Sequence, residues 1–185
     1  SNPAQVQEYS LLASQAHVKT ICETGFNAGH STLLWLLSNP GARVISFDLG
    51  QYGYTLAAAE WMKKKFPTRF EFVKGDSTVM VPQYHAANPL VKCDLLSVDG
   101  GHTLEVAAAD ILNFGKMASP ANVVVVDDTP CGAGFCGGPT QAWQAGVQAG
   151  VIVQLKLVPC DPLRGFSVGT YTPAAQTAVL VQTKG

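Results

Sequence analysis

Short apolar runs alternate along this chain with stretches in which apolar residues recur every three or four positions. Five of the runs read as strands: the one ending at Glu23, then Arg43–Phe47, Arg69–Val73, Cys93–Val98 and Asn122–Val126. The helical spacing between them predicts helices over Ser31–Leu37, Leu56–Phe66, Thr78–Ala87 and Leu104–Met117, with Pro82 weakening the third. Upstream, apolar Val6, Tyr9, Leu12, Ala13 and Ala16 predict a helix over Val6–Val18 that lies across the sheet. Downstream of the fifth strand, a glycine-rich loop, Thr129–Pro139, leads to a helix over Thr140–Ala149. Two last strands, Val151–Val158 and Gly165–Tyr171, are joined around Cys160-Asp161-Pro162, and so short a connection demands an antiparallel pair. Ala178–Gln182 reads either as one more edge strand or as a frayed end.

Strand-helix alternation implies a doubly wound α/β fold with a parallel sheet and right-handed crossovers. The 185 residues suit one domain, and no repeat, low-complexity segment or linker divides them. Within that domain residues 1–18 supply the N-terminal helix, 19–128 the ligand-binding core and 129–185 the acceptor-side part.

Composition narrows the partners. Hydrophobic residues make up 47% and charged ones 14%, as a heavily buried sheet requires. A net charge of -1 offers no electrostatic pull toward nucleic acid or a membrane surface. No apolar run reaches the ~20 residues of a membrane span and no secretory leader is visible, so the expected location is cytoplasmic. The five cysteines are scattered. Cys22 and Cys93 lie in or beside apolar runs and are expected to be buried free thiols in a reducing setting. Cys131 and Cys136 flank the glycine-rich loop, where a bridge is the alternative to two thiols.

The chemistry gathers at the strand ends. A parallel sheet brings the C-terminal ends of its strands to one edge, and Glu23, Asp48, Asp76, Asp99, Asp127 and Asp128 all stand there. So many like charges repel unless they meet a ligand or cap the following helices. Capping can account for Asp76 and Asp128, not for all of them. The stretch KTICETGFNAGHST reads as strand, glycine turn and helix, with Gly25 and Gly29 letting a ligand approach the backbone. It is not the G-x-G-x-x-G of a dinucleotide site, because Asn27 replaces the middle glycine; this weighs against a nicotinamide oxidoreductase. A turn that needs glycine only for its geometry is the competing reading. Asp48 follows Glu23 by 25 positions, near the interval of a ribose-binding carboxylate. Asp99, Asp127 and Asp128, without cysteine or several histidines, favour magnesium, manganese or calcium over zinc. His102 is either a proton acceptor or a cap of the helix that follows.

The segments ETGFNAGHST, SFDLG, KGDS, CDLLSVDGGHTLEVAAADI and VVVVDD run in order from Ile21 to Asp128. Together they resemble the class I S-adenosylmethionine-dependent methyltransferases, and more narrowly methyltransferase family 24. The resemblance implies a Rossmann-like, mainly parallel seven-stranded sheet of order 3-2-1-4-5-7-6 with the last strand antiparallel. It implies S-adenosylmethionine as cofactor, with Glu23, Gly25, Phe26, Asn27, Gly29 and Ser31 around its methionine and ribose. Asp48 would take the ribose hydroxyls, and Asp76 and Ser77 the adenine. In similar metal-dependent O-methyltransferases, carboxylates at the positions of Asp99, Asp127 and Asp128 hold magnesium; manganese and calcium suit the same ligands. His102 stands where catechol methyltransferases place a lysine, which leaves its role as base open. The implied activity is O-methylation of a small acceptor, with Asp99 and His102 catalytic and the loop around Phe135 at the acceptor rim. A metal-independent methyltransferase and a catalytically silent cofactor-binding module are the alternatives. No nucleic-acid or membrane partner is expected, and an exposed hydrophobic final strand leaves room for a homodimer.

Overall fold

The computed structural model describes residues 2–160 and 164–176. Seven strands form one sheet: β1 (Thr20–Thr24), β2 (Arg43–Asp48), β3 (Phe70–Lys74), β4 (Cys93–Val98), β5 (Ala118–Asp127), β6 (Ile152–Pro159) and β7 (Gly165–Tyr171). Their order is β3-β2-β1-β4-β5-β7-β6. The first five run parallel, and β7 is antiparallel to both β5 and β6. The expected α/β architecture, strand order and final antiparallel pair are therefore present. The helices are α1 (Pro3–Ala13), α2 (His30–Ser38), α3 (Gly53–Lys65), α4 (Ser77–Ala87), α5 (Leu104–Met117) and α6 (Gly137–Gln148).

The pleat divides each strand between two cores. Ile21, Val44, Leu95 and Val125 face Tyr9, Trp35 and Met62, so α1, α2 and α3 cover one side. Cys22, Ile45, Leu96 and Val124 face Val81, Phe114 and Trp143, so α4, α5 and α6 cover the other. Strands buried on both faces cannot alternate apolar with polar residues, which is why NVVVV reads as an unbroken apolar run.

Several boundaries differ from the sequence expectation. Helix α1 begins at Pro3, where a missing N–H costs nothing, with Asn2 accepting the Ala4 amide at 2.9 Å. It ends at Ala13 rather than Val18, because Asn39 donates to the carbonyls of Ala13 and Val18 and turns the chain into β1. Strand β5 reaches back to Ala118, beyond the expected Asn122. A register shift between Cys93 and Leu95 accommodates the extra length, and the Asn122 side chain accepts the Tyr171 amide at 2.8 Å. Helix α6 starts at Gly137, and its Pro139 falls in the first turn. The expected segment Ala178–Gln182 lies outside the described residues.

The cysteines correct the expectation of free thiols at Cys22 and Cys93. These two form a disulfide between β1 and β4, with their Cα atoms 5.9 Å apart. Both side chains point into the same core, a proximity that their separation of 71 residues hides. Cys131 and Cys136 are also paired, which closes the glycine-rich loop. No helix among the described residues is long and apolar enough to cross a membrane.

Phe114 is fully buried and meets Phe47 edge-on at 6.1 Å. Phe114→Ala should cost about 3–5 kcal/mol in urea unfolding. A loss below about 1 kcal/mol would contradict this account of the α5 core.

Candidate active site

Where the strand order reverses, between β1 and β4, the sheet edge opens into a cleft of ≈ 300 Å³. Gly25, Asn27, Asp48, Asp76, Ser77 and Asp99 line it, all of them residues expected from the sequence. Leu49, Tyr52, Gly100 and Gly101 complete the walls without having been expected there. Gly25 has φ 88 and its missing Cβ would stand 1.8 Å from the Asp99 carbonyl oxygen, so no side chain fits. Its amide donates to the Phe47 carbonyl at 2.9 Å, tying the turn to β2. Phe26 does not face the cleft; it is buried against Phe70 and Phe72 and supports the turn from below. Gly29 opens α2 with φ 79, and a Cβ there would press on the Phe26 ring at 2.6 Å.

The carboxylates of this half have distinct tasks. Asp48 accepts the Asn27 amide at 2.9 Å and the Gly50 amide at 2.7 Å, which joins the end of β2 to the glycine turn. Asp76 caps α4, accepting the Thr78 amide at 2.9 Å and its hydroxyl at 2.7 Å. Glu23 is only 1% exposed and stands behind the turn. Ser31 and Trp35 donate to one of its oxygens at 2.7 and 3.1 Å. Ser46, at 2.5 Å, and Thr32 donate to the other. Burial raises the Glu23 pKa, and these four donors oppose the rise. The structure thus makes Glu23 and Ser31 a brace between β1, α2 and β2, one layer beneath the cleft surface.

On the other half, Asp99, His102 and Asp128 present ligand atoms that all lie within 4.8 Å of one another. His102 Nε2 is 3.5 Å from Asp128 Oδ2, and its ring stacks on Phe135 with centroids 5.8 Å apart. The Arg164 guanidinium lies 4.8 Å from the Phe135 centroid. His102 is not the cap of α5: Thr103 takes that place and accepts the Val106 amide at 3.3 Å. Asp128 caps no helix either; it adopts φ 54 and is buried. Asp127 is turned aside, with Gln5 of α1 donating to its Oδ1 at 2.8 Å. Gln5 and Arg164 were not anticipated. No local signal couples Gln5 to a residue 122 positions away.

Crowding shows in the acidities. Asp99 is pushed well above the usual carboxylate range, by desolvation and then by the charges of Asp127, Asp128 and Glu23, while Arg164 opposes. Its side chain is open to water at the cleft surface, so the like-charge crowd is the firmer of the two causes. Asp127 rises to about 6 through burial and then Asp128, with Gln5 and Arg164 pulling it down. Asp110 of α5 also rises to about 6, chiefly through burial.

A carboxyl whose pKa is higher folded than unfolded binds its proton more tightly in the native state. Its stabilising contribution is complete below the unfolded value of 3.8 and is lost as pH rises through about 6. The melting temperature of the unliganded protein should therefore fall as pH rises from about 4 to about 6. Asp110→Asn should flatten part of that fall; a melting temperature that climbs through this range would contradict it.

The comparisons with known proteins agree with this geometry. No curated protein matches the sequence. Among solved structures, an O-methyltransferase from Bacillus cereus in complex with SAH aligns with TM-score 0.71 and 16% identity, over 93% of this chain and 82% of its own. CalS11, a TDP-rhamnose 3'-O-methyltransferase of calicheamicin biosynthesis, aligns with TM-score 0.69 and 18% identity, over 89% and 76%. The N-methyltransferase NodS from Bradyrhizobium japonicum aligns with TM-score 0.68 and 16% identity, over 91% and 93%. At such identities these likenesses speak for the fold. The methyltransferase-domain family matches residues 22–129, from the middle of β1 to just beyond the acidic end of β5. Since that match spans more than half of the chain and carries the whole cleft, the protein belongs to the methyltransferase-domain family.

Proposed function

We propose that this protein transfers the methyl group of S-adenosylmethionine to a hydroxyl of a small acceptor molecule, assisted by a divalent ion. One observation carries the reading: Asp99 belongs to both halves of the site. Its carbonyl abuts Gly25 in the cleft, and its carboxylate joins His102 and Asp128 beside it. A donor in the cleft and an acceptor at the carboxylates would therefore meet across one residue.

Asp48 takes the ribose hydroxyls in this reading, and Asp76 and Ser77 border the adenine, which is supported by all three lining the cleft. Glu23 acts beneath them by holding the turn between Gly25 and Gly29 in its ligand-accepting shape. Asp99 and Asp128 fit a hard divalent cation such as magnesium, manganese or calcium, with Asp127 joining them if Gln5 releases it. When bound, such an ion lowers the pKa of an acceptor hydroxyl. His102 takes the acceptor proton at Nε2, and Asp128 stabilises the resulting imidazolium. Phe135, stacked on His102 and 43% exposed, offers an apolar rim to the acceptor. The O-methyltransferase neighbours support a hydroxyl acceptor, although NodS shows that the same fold also serves nitrogen. Exposed Val153, Leu155 and Leu157 on edge strand β6 support self-association as a homodimer.

The magnitudes rank these contributions. Alignment of donor and acceptor can supply roughly 7–11 kcal/mol. A general base contributes about 10²–10⁴-fold. Calorimetry should detect S-adenosylhomocysteine binding that strengthens with magnesium or manganese; no binding of the nucleoside would overturn the reading. Asp99→Ala should abolish turnover, while His102→Ala should retain metal binding and lose about 10²–10⁴-fold in rate. Metal heat that vanishes in His102→Ala would make the imidazole a ligand instead of the base.

A further inference from the structure

Asp110 has no part in the chemistry above, yet it lies directly behind the cleft. It is fully buried in α5, and neither of its carboxylate oxygens receives a hydrogen bond from the described residues. Thr24 Oγ1, at the end of β1, is buried and orphaned in the same way. The two meet under Gly100: a Cβ there would stand 2.7 Å from Asp110 Oδ2 and 3.2 Å from Thr24 Oγ1. Gly100 and Ser77 both line the cleft. The hydroxyls of Ser77 and Thr24 approach closely enough to favour the ionised carboxylate without completing a hydrogen bond. The other ionisable groups facing it are Asp76 at the start of α4 and Tyr171 on β7.

A buried carboxylate lacking partners opposes folding, and an apolar side chain at this place in the core would not. The arrangement is understandable if the missing hydrogen bonds form in another state of the protein. A ligand in the cleft would press on the residues around this carboxylate, because Gly100 and Ser77 are walls of that cleft.

We propose that Asp110 is a positioning residue for the cofactor: when the cleft fills, the Ser77 and Thr24 hydroxyls close onto its carboxylate. This fixes the Asp76–Ser77 turn and Gly100 against the nucleoside. The proposal rests on the reading of the cleft as the S-adenosylmethionine site. It makes Asp110 costly in the empty protein and useful in the filled one, so the two effects of removing it have opposite signs.

The test is calorimetry with S-adenosylhomocysteine, alongside melting of the unliganded protein near neutral pH. Asp110→Asn should bind the nucleoside roughly tenfold more weakly or worse, the size expected for lost hydrogen bonds to a charged group. Its unliganded melting temperature should equal or exceed that of the wild type. Thr24→Val, at a buried residue that does not line the cleft, should show a similar loss, and the double variant should be no weaker than the weaker single one, because both act through one contact. Asp110→Leu, which removes the buried polar atoms outright, repeats the measurement if the asparagine variant does not fold. Unchanged affinity in Asp110→Asn, additive losses in the double variant, or a drop in affinity matched by a drop in unliganded melting would each overturn the proposal. Wild-type protein that fails to bind the nucleoside would overturn the cofactor reading itself, whereas wild-type binding with an unaffected Asp110→Asn overturns only the role of Asp110.

Discussion

Repulsion among carboxylates at one edge of a parallel sheet is the constraint around which the rest of this structure is arranged. Five parallel strands end at that edge, and the chain places acidic residues at or just beyond their ends. Each is handled by a different local device. Glu23 is saturated by four side-chain donors, whereas Asp48 is held in place by two backbone amides, Asp76 by the first turn of α4 and Asp127 by Gln5. What is left is Asp99 with Asp128, facing His102. The fold thus satisfies most of its acidic edge internally and concentrates the unsatisfied remainder at one place, which is where a charged ligand gains most.

The division of labour follows the sheet. Between β1 and β4 the connections turn in opposite directions, so the crossovers leave a crevice that neither side covers. The glycine turn can enter this crevice because Gly25 lacks the Cβ that would strike the Asp99 carbonyl just beyond β4. Its lower surface is rigid: Phe26 is wedged against Phe70 and Phe72, and the buried Glu23 network ties three elements together. A turn held from beneath in this way presents its free backbone groups without needing the ligand to organise them.

The half of the site around Asp99, His102 and Asp128 is assembled from parts that are far apart in the chain. Helix α1 closes it through Gln5 on Asp127, and Tyr9 anchors that helix by stacking on Trp35 at 4.8 Å and meeting Phe166 edge-on at 5.1 Å. The loop closed by Cys131 and Cys136 carries Phe135 to His102, and Arg164 at the start of β7 covers the Phe135 ring. Trp35 takes part in both the N-terminal packing and the Glu23 network, so the two sides of the site share a common support.

Periodicity and turn chemistry in the sequence determined the strands, the helices, the parallel direction of β1 to β5 and the acidic edge. These follow from local rules: apolar runs bury both faces of a strand, and a strand ending in glycine and acid must stop there. The cleft residues Gly25, Asn27, Asp48, Asp76, Ser77 and Asp99 were legible for the same reason, since each stands at a strand end or just beyond. Only the tertiary structure decided which carboxylates remain available. Glu23 and Asp127 look alike in sequence to Asp99 and Asp128, but their partners Trp35, Ser46 and Gln5 come from other elements. The pairing of Cys22 with Cys93 and the burial of Asp110 under Gly100 were hidden for the same physical reason. A side chain's charge and reactivity depend on what packs against it, and packing between distant segments leaves no periodic mark on the chain.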